Sequence, residues 1–333
     1  MTAADWRADA TGTASGGSQV GPPQITSLSA AGSSAGNGIV AGTPSFHPNG
    51  DGIDDTLVVT HTLTRAANLY VKVANTAGAV VRSLTVAVTD GTTTSEWDGK
   101  SDAGSIVADG RYTLTYTPRD TSGATGTSVS ISATVLTAVA LSKPTAIAFY
   151  ASDADALSKS TTVTVTVNQQ AKVGFQVLDA SGAVIRTVRA PTAATAGPLK
   201  FAWDGREDNG SWAPDGWYDM VVTATTSLGT YAQDRGVYEG AFRLTPSSTS
   251  PKRGGTLTLA ILSTEALAAA PTVRVAQPGL APWNATAKLV DGRTYTVTLT
   301  LKTGGTAGAL ALDVAGTDKN GGKQDTPLSL TLR

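Results

Sequence analysis

The chain has 333 residues, enough for two or three domains at roughly 100–150 residues each, and every one of them large enough to bury a core. Its formal net charge is −1 with no long run of either sign, so it lacks the electrostatic footprint of a nucleic-acid binder or of a protein drawn to an anionic membrane. Cysteine is absent, which removes a disulfide framework and a thiolate metal site, and only two histidines are available for acid–base chemistry.

Charged residues make up 15% of the chain, against roughly 25% in an average soluble protein. Thr, Ala, Ser, Val and Gly dominate instead, a mixture that suits short strands and tight turns. The expectation is an all-β protein. Cysteine avoidance with a Thr/Ser/Gly-rich, Lys-poor surface fits an exported protein, so an extracellular or cell-surface location is expected. No apolar run long enough to span a membrane is present, and the N-terminus has neither the basic nor the apolar region of a signal peptide, as expected of a mature or excised segment.

In chain order, residues 1–42 read as an N-terminal arm or linker, broken at Gly21-Pro22-Pro23 and offering one short strand at Gln24-Ile25-Thr26-Ser27-Leu28-Ser29. That stretch has three readings: docking on its own chain, disorder, or addition to the sheet edge of another copy. A first domain is expected over 43–139. Leu57, Val59, His61 and Leu63 alternate with polar or exposed positions, as do Tyr112, Leu114 and Tyr116, the period of half-buried strands. Between them Asn75-Thr76-Ala77-Gly78 marks a hairpin turn. A second domain over 140–238 repeats the plan with Val163, Val165 and Val167, a hairpin over Val173–Val188, and a closing strand at Tyr218, Met220 and Val222. A third unit, 239–333, has strand patterns at Thr256–Leu262, Thr272–Ala276, Thr294–Leu301 and Ala309–Val314. One helical turn is suggested at Ser263–Ala270.

The first two domains are copies. Trp97-Asp98-Gly99, an acidic Gly loop and Asp109-Gly110-Arg111-Tyr112 are answered by Trp203-Asp204-Gly205, a second such loop and Asp215-Gly216-Trp217-Tyr218. Upstream, Gly78-Ala79-Val80-Val81-Arg82 is answered by Gly182-Ala183-Val184-Ile185-Arg186. The offset is 104 residues at Gly78 and 106 at Trp97. A period of that length is a whole β-sandwich, not a solenoid repeat of roughly 20–50 residues.

This pattern resembles the Ig-like module of flagellar hook-capping (FlgD-type) proteins, which recurs in exported bacterial proteins. The lead-in Phe46-His47-Pro48-Asn49-Gly50-Asp51-Gly52 is similar to the Ser-Pro-Asn-Gly-Asp-Gly motif that opens many such modules, with His47 in place of the serine. The third unit resembles bacterial Ig-like domains through Pro271–Val275 and Val314–Gly322. The resemblance implies three Ig-like β-sandwiches in series, used as spacer, adhesive or assembly modules or appended to a secreted hydrolase, and it implies no catalysis. The partners it implies are other copies, other surface proteins, or cell-wall and extracellular polysaccharide.

Three sets of residues carry candidate chemistry. Asn49, Asp51, Asp54 and Asp55 crowd three carboxylates and an amide oxygen into seven residues, a hard-oxygen density that suits Ca²⁺. The spacing is not that of an EF-hand, because His47 would stand at loop position 1 and Val58 at position 12. A glycine-rich Asx turn explains the same residues without a metal. The equivalent stretch of the second repeat, Phe149-Tyr150-Ala151-Ser152-Asp153-Ala154-Asp155, has lost the glycines and is not expected to hold an ion. Trp212, Trp217 and Trp283 lie in or beside loops and offer flat faces for sugar rings, Trp217 most of all because it alternates with Tyr218. Finally, no enzyme is expected. His61 falls on the apolar face of a strand, and the carboxylate pairs Asp54/Asp55 and Glu207/Asp208 lie in loops with no cleft to set their separation.

Overall fold

The computed structural model describes residues 21–32, 39–40, 43–153 and 155–333, with only the backbone described at 39–40. Most of the arm, 1–20 and 33–38 with 41–42, lies outside the described residues. All regular structure among the described residues is β. Ser263–Ala270 contains no helical turn; it ends a strand and runs into turns, with Ser263 Oγ donating to the Glu265 carbonyl at 2.7 Å. The six sheets pair into three sandwiches.

The chain divides into two compact units, the first holding residues up to 31 with 57–107 and 111–133, the second holding 32–56, 108–110 and 134–333. In the first unit a sheet of Ile25–Gly32, Leu57–Leu63 and Gly91–Trp97 carries one face of the core. The other face comes from Ala67–Asn75, Val80–Val88 and Gly110–Arg119. The alternation expected from sequence is realised. Leu57, Val59, His61 and Leu63 are buried, as are Tyr112, Leu114 and Tyr116. His61 is a packed residue whose Nδ1 meets Thr93 Oγ1 at 2.9 Å.

The second sandwich sets Val139–Leu141, Thr161–Val167 and Gly197–Trp203 against Ala148–Phe149, Gly229–Glu239, Gly216–Thr226, Ala171–Asp179 and Val184–Ala194. The third sets Phe242–Pro246, Thr256–Ser263, Thr294–Thr300 and Lys288–Asp291 against Trp283–Thr286, Thr272–Ala276, Gly308–Thr317 and Lys323–Leu332.

Strand for strand the two repeats share one pairing plan, and this assigns a place to the arm. Ile25–Gly32 neighbours Leu57–Leu63 as Val139–Leu141 neighbours Thr161–Val167. Gln24 and Thr64 exchange hydrogen bonds, and Ser27 Oγ donates to Thr62 Oγ1 at 2.8 Å. The strand read as a candidate donor to other copies is the first strand of its own module, paired in cis. Similarly, Phe46 lies opposite Val135 in a parallel pair as Phe149 lies opposite Glu239. Residues 43–56, which by sequence lead into the first domain, are carried by the second unit.

The Trp-Asp-Gly block is a structural device in both copies. The indole N–H of Trp97 donates to the Lys100 carbonyl and that of Trp203 to the Arg206 carbonyl, each at 3.0 Å. The aspartate one residue on receives the amide of the same Lys100 or Arg206. Gly99 and Gly205 turn the chain at φ of 70° and 77°, where a Cβ would be strained. The repeated arginine completes the unit, since Arg82 donates to the Ser101 carbonyl and Arg186 to the Glu207 carbonyl, each at 3.1 Å. Buried Trp97 and Trp203 then pack edge-on against Tyr112 and Tyr218. Trp203→Ala removes a fully buried indole and should lower stability by about 3–5 kcal/mol. Asp204→Ala, which frees one loop amide near solvent, should cost only about 1 kcal/mol; chemical denaturation of the two variants checks the ratio.

Candidate metal centre

The loop after Thr43–Phe46 satisfies its own oxygens. Asp55 Oδ1 accepts the amides of Asn49 and Gly50, and its Oδ2 accepts that of Gly52. Asp51 Oδ1 accepts the Ile53 amide while Oδ2 accepts the Leu141 amide at 2.8 Å. Asn49 Oδ1 accepts the Asp51 amide, and its Nδ2 donates to the Val139 carbonyl at 2.7 Å. Asp54 is buried, with Oδ2 4.0 Å from His47 Nδ1. The cation this loop meets is a side chain. Arg235 donates to the carbonyls of Asp51 and Leu141 at 2.6 and 2.7 Å, with its guanidinium 3.9 Å from the Asp51 carboxylate. His47 stacks on Tyr231 with ring centroids 4.7 Å apart, and burial lowers its pKa to about 4. Of the four residues read as calcium ligands, Asn49, Asp51 and Asp55 build an Asx-type turn seated on the second sandwich, and Asp54 is buried beside His47.

The equivalent loop one repeat later is where carboxylates converge, contrary to the expectation from its lost glycines. Asp153 and Asp155 follow the strand Ala148–Phe149, Glu265 follows Thr256–Ser263, and Asp318 follows Gly308–Thr317. One oxygen from each lies within 4.8 Å of the others. The third sandwich aligns its pair through the Leu267–Asp318 bridge and a hydrogen bond from the Lys319 amide to the Ala266 carbonyl at 3.0 Å. The segment is fixed from both sides, because Phe149 belongs to the core of the second sandwich and Tyr150, the next residue, to that of the third.

The hydrogen bonding of this cluster follows one rule. Each aspartate ties Oδ1 to a loop amide: Asp153 to that of Asp155, Asp155 to that of Leu157, and Asp318 to those of Asn320 and Gly322. Each leaves Oδ2 buried with no hydrogen-bond partner. Glu265 takes the Gln324 side-chain N–H on Oε2 and leaves Oε1 buried and unpartnered, as is Gln324 Oε1. Among the described residues none of the four forms an ion pair. Burial, with Asp153 adding repulsion, pushes the Glu265 carboxyl up to about 8, and burial raises Asp153 as well. Four carboxylates with open oxygens and no basic partner form a donor set that can hold a metal ion.

The tryptophans do not make one platform. Trp217 is 45% and Trp212 38% exposed, so the alternation with buried Tyr218 was informative, and Trp283 is half-buried. Each carries a cation over a face: Arg206 lies 3.6 Å from the Trp212 centroid, Arg243 5.0 Å from that of Trp217, and Lys302 4.7 Å from that of Trp283. A surface groove lined by Asp179, Glu207, Asp215 and Trp217 includes neither of the other two. Both histidines are buried and out of reach of a substrate.

With the repeat, its turn and its loops in place, comparison with known proteins identifies the repeated module. Residues 50–122 and 152–227 match the FlgD Ig-like domain. These are two FlgD Ig-like domains. The third sandwich rests on its sheets alone. No curated protein sequence matches the chain. Among solved structures, the chain is similar to a tetra-tandem repeat from the extending region of a large adhesion protein, at 16% identity over 93% of this chain and 75% of that one, with a TM-score of 0.24. It is also similar to part of a 1.5-MDa bacterial ice-binding adhesin, at 16% identity over 91% and 96% of the two chains with a TM-score of 0.21. A Salmonella alpha-2-macroglobulin matches at 11% identity over 87% of this chain and 24% of that one, with a TM-score of 0.32. At these scores the structural likenesses carry no weight for function.

Two outcomes follow from the FlgD-type loops and their surroundings. Asp55→Ala should cost about 2 kcal/mol by leaving loop amides without acceptors, and the loss should be the same in calcium and in chelator when read by thermal melts. Glu239, beside the Gly205 turn, is buried with Oε2 unpartnered. Burial and then Asp215 raise its pKa from an ordinary 4.5 to about 8, with Tyr150 and Tyr218 also facing it. Because the folded chain holds this proton where the unfolded chain has lost it, the contribution of Glu239 to stability falls as pH rises from about 4.5 to 8. Glu239→Gln should flatten that slope and melt higher than the parent at pH 8.

Proposed function

We propose that this chain is a non-catalytic, extracellular structural segment, a surface stalk or filament subunit of Ig-like modules whose inorganic cofactor is calcium. The observation that carries the reading is the tandem of two FlgD Ig-like domains continued by a third sandwich, each with its own buried core. Linked sandwiches of this kind supply reach and a surface for docking other copies or other surface proteins. The cysteine-free composition and the burial of both histidines support the same reading. Protease shaving of intact cells that express the native gene should release peptides from all three sandwiches. Protection of the chain until the cells are lysed would overturn the extracellular assignment.

A second reading, a polysaccharide-binding accessory region of a secreted hydrolase, is favoured by one observation: half-exposed Trp217 walls a groove that also holds Asp179, Glu207 and Asp215. Affinity electrophoresis on cell-wall and plant polysaccharides separates the two. The stalk reading expects no retardation; retardation abolished by Trp217→Ala would establish the binding module.

A further inference from the structure

The loop that follows the short parallel strand of each FlgD-type module does the same work twice, with different chemistry. After Phe46 it seats His47 on Tyr231 and meets the Arg235 guanidinium through Asp51. After Phe149 it sends Tyr150 into the core of the third sandwich and sets Asp153 and Asp155 against Glu265 and Asp318. The first loop has an arginine at its acidic centre. In the second, among the described residues, no basic side chain pairs with any of the four carboxylates.

We infer that Asp153, Asp155, Glu265 and Asp318, with the side-chain oxygen of Gln324, bind one Ca²⁺ ion that clamps the second sandwich to the third. Three of the unpartnered oxygens belong to side chains the fold has sealed in, Glu265 at 3%, Gln324 at 2% and Asp318 at 1% exposed, and the other two to half-buried Asp153 and Asp155. Leaving such oxygens without a hydrogen bond or a counter-charge is costly, and the convergence of four carboxylates beside Gln324 is an arrangement that a cation relieves. Two ligands on opposite sides of a Ca²⁺ ion stand about 5 Å apart, since Ca²⁺–O distances are about 2.3–2.6 Å. The four carboxylate oxygens, all within 4.8 Å of one another, fit inside that span. An all-oxygen set with no His or Cys disfavours zinc and copper, and five protein ligands leave room for water to complete the six to eight that calcium takes. Glycine keeps the space open. A Cβ on Gly322 would collide with Oδ2 of both Asp153 and Asp318, while the Gly322 amide holds Asp318 Oδ1 at 3.0 Å.

The site is independent of where the protein is displayed, so its test stands apart from that of the stalk. The full chain, stripped with chelator and checked by native mass spectrometry, is titrated calorimetrically with CaCl₂ and separately with MgCl₂. One Ca²⁺ per chain is expected, with Mg²⁺ at least tenfold weaker, a higher melting temperature in calcium, and slower hydrogen exchange over both 150–158 and 317–324. Asp318→Asn and Asp153→Asn should each weaken binding tenfold or more. Glu265→Gln, an isosteric change, should leave the calcium-free melting temperature at or above that of the parent and abolish the response to calcium, a split that misfolding does not produce. Gly322→Ala should block binding with every carboxylate in place. Asp51→Asn and Asp55→Asn should leave binding intact. Absence of binding at millimolar calcium, binding retained in Asp153→Asn and Asp318→Asn, or binding lost only in the Asp51 and Asp55 variants would each overturn the inference.

Discussion

The indole N–H of the repeated tryptophan, donated to the carbonyl three residues ahead, is the constraint on which both FlgD-type modules depend. It obliges the chain to turn immediately after a strand that ends in the core, and only a residue at ease with positive φ can stand at the turn. The turn in turn sets the start of the acidic loop, whose aspartates and carbonyls receive the hairpin backbone and its arginine. One buried ring thus links the two sheets of a sandwich through a hydrogen bond, an aromatic contact with Tyr112 or Tyr218, and a loop that closes over its rim. Repetition of the whole block, rather than of the tryptophan alone, follows from that interdependence.

The ends of the modules obey a second economy. A sandwich in series must present polar loops to its neighbour, and buried polar groups there need partners. The 47–55 loop is sealed by pairing the carboxylate oxygens of Asp51 and Asp55 with amides and by bringing in Arg235. The 150–158 loop pairs only half of its oxygens and points the rest inward. The contrast is chemical and not topological, since both loops leave the same edge of equivalent sheets. It leaves one scaffold with two kinds of acidic loop, one that meets an arginine and one whose carboxylates have no basic partner among the described residues.

Burial is the leading cause of the large pKa displacements at Glu239, Glu265 and His47. Perturbed groups mark active sites when they line an accessible cleft; these three are buried side chains.

Within one module the sequence was enough. Alternation of apolar residues placed the strands, the Trp-Asp-Gly and Gly-x-Val-Val/Ile-Arg blocks located the repeat, and Trp217 was correctly turned outward by its alternation with Tyr218. These features arise from interactions between residues close in the chain, or from strand periodicity, and both leave a local signature. Long-range assembly left none. The strand at Ile25–Gly32 carries weak alternation and became legible only beside its counterpart Val139–Leu141. Glycine-rich acidic spacing drew attention to Asn49, Asp51, Asp54 and Asp55, yet the same spacing serves a turn that consumes its own oxygens. Asp153 and Asp155 drew none, because the residues that complete their cluster, Glu265 and Asp318, lie more than 100 residues away in a different sandwich. Only the tertiary structure could decide where carboxylates converge, since repulsion between them is set by distance in space and by exclusion of water, neither of which is written in the order of the residues.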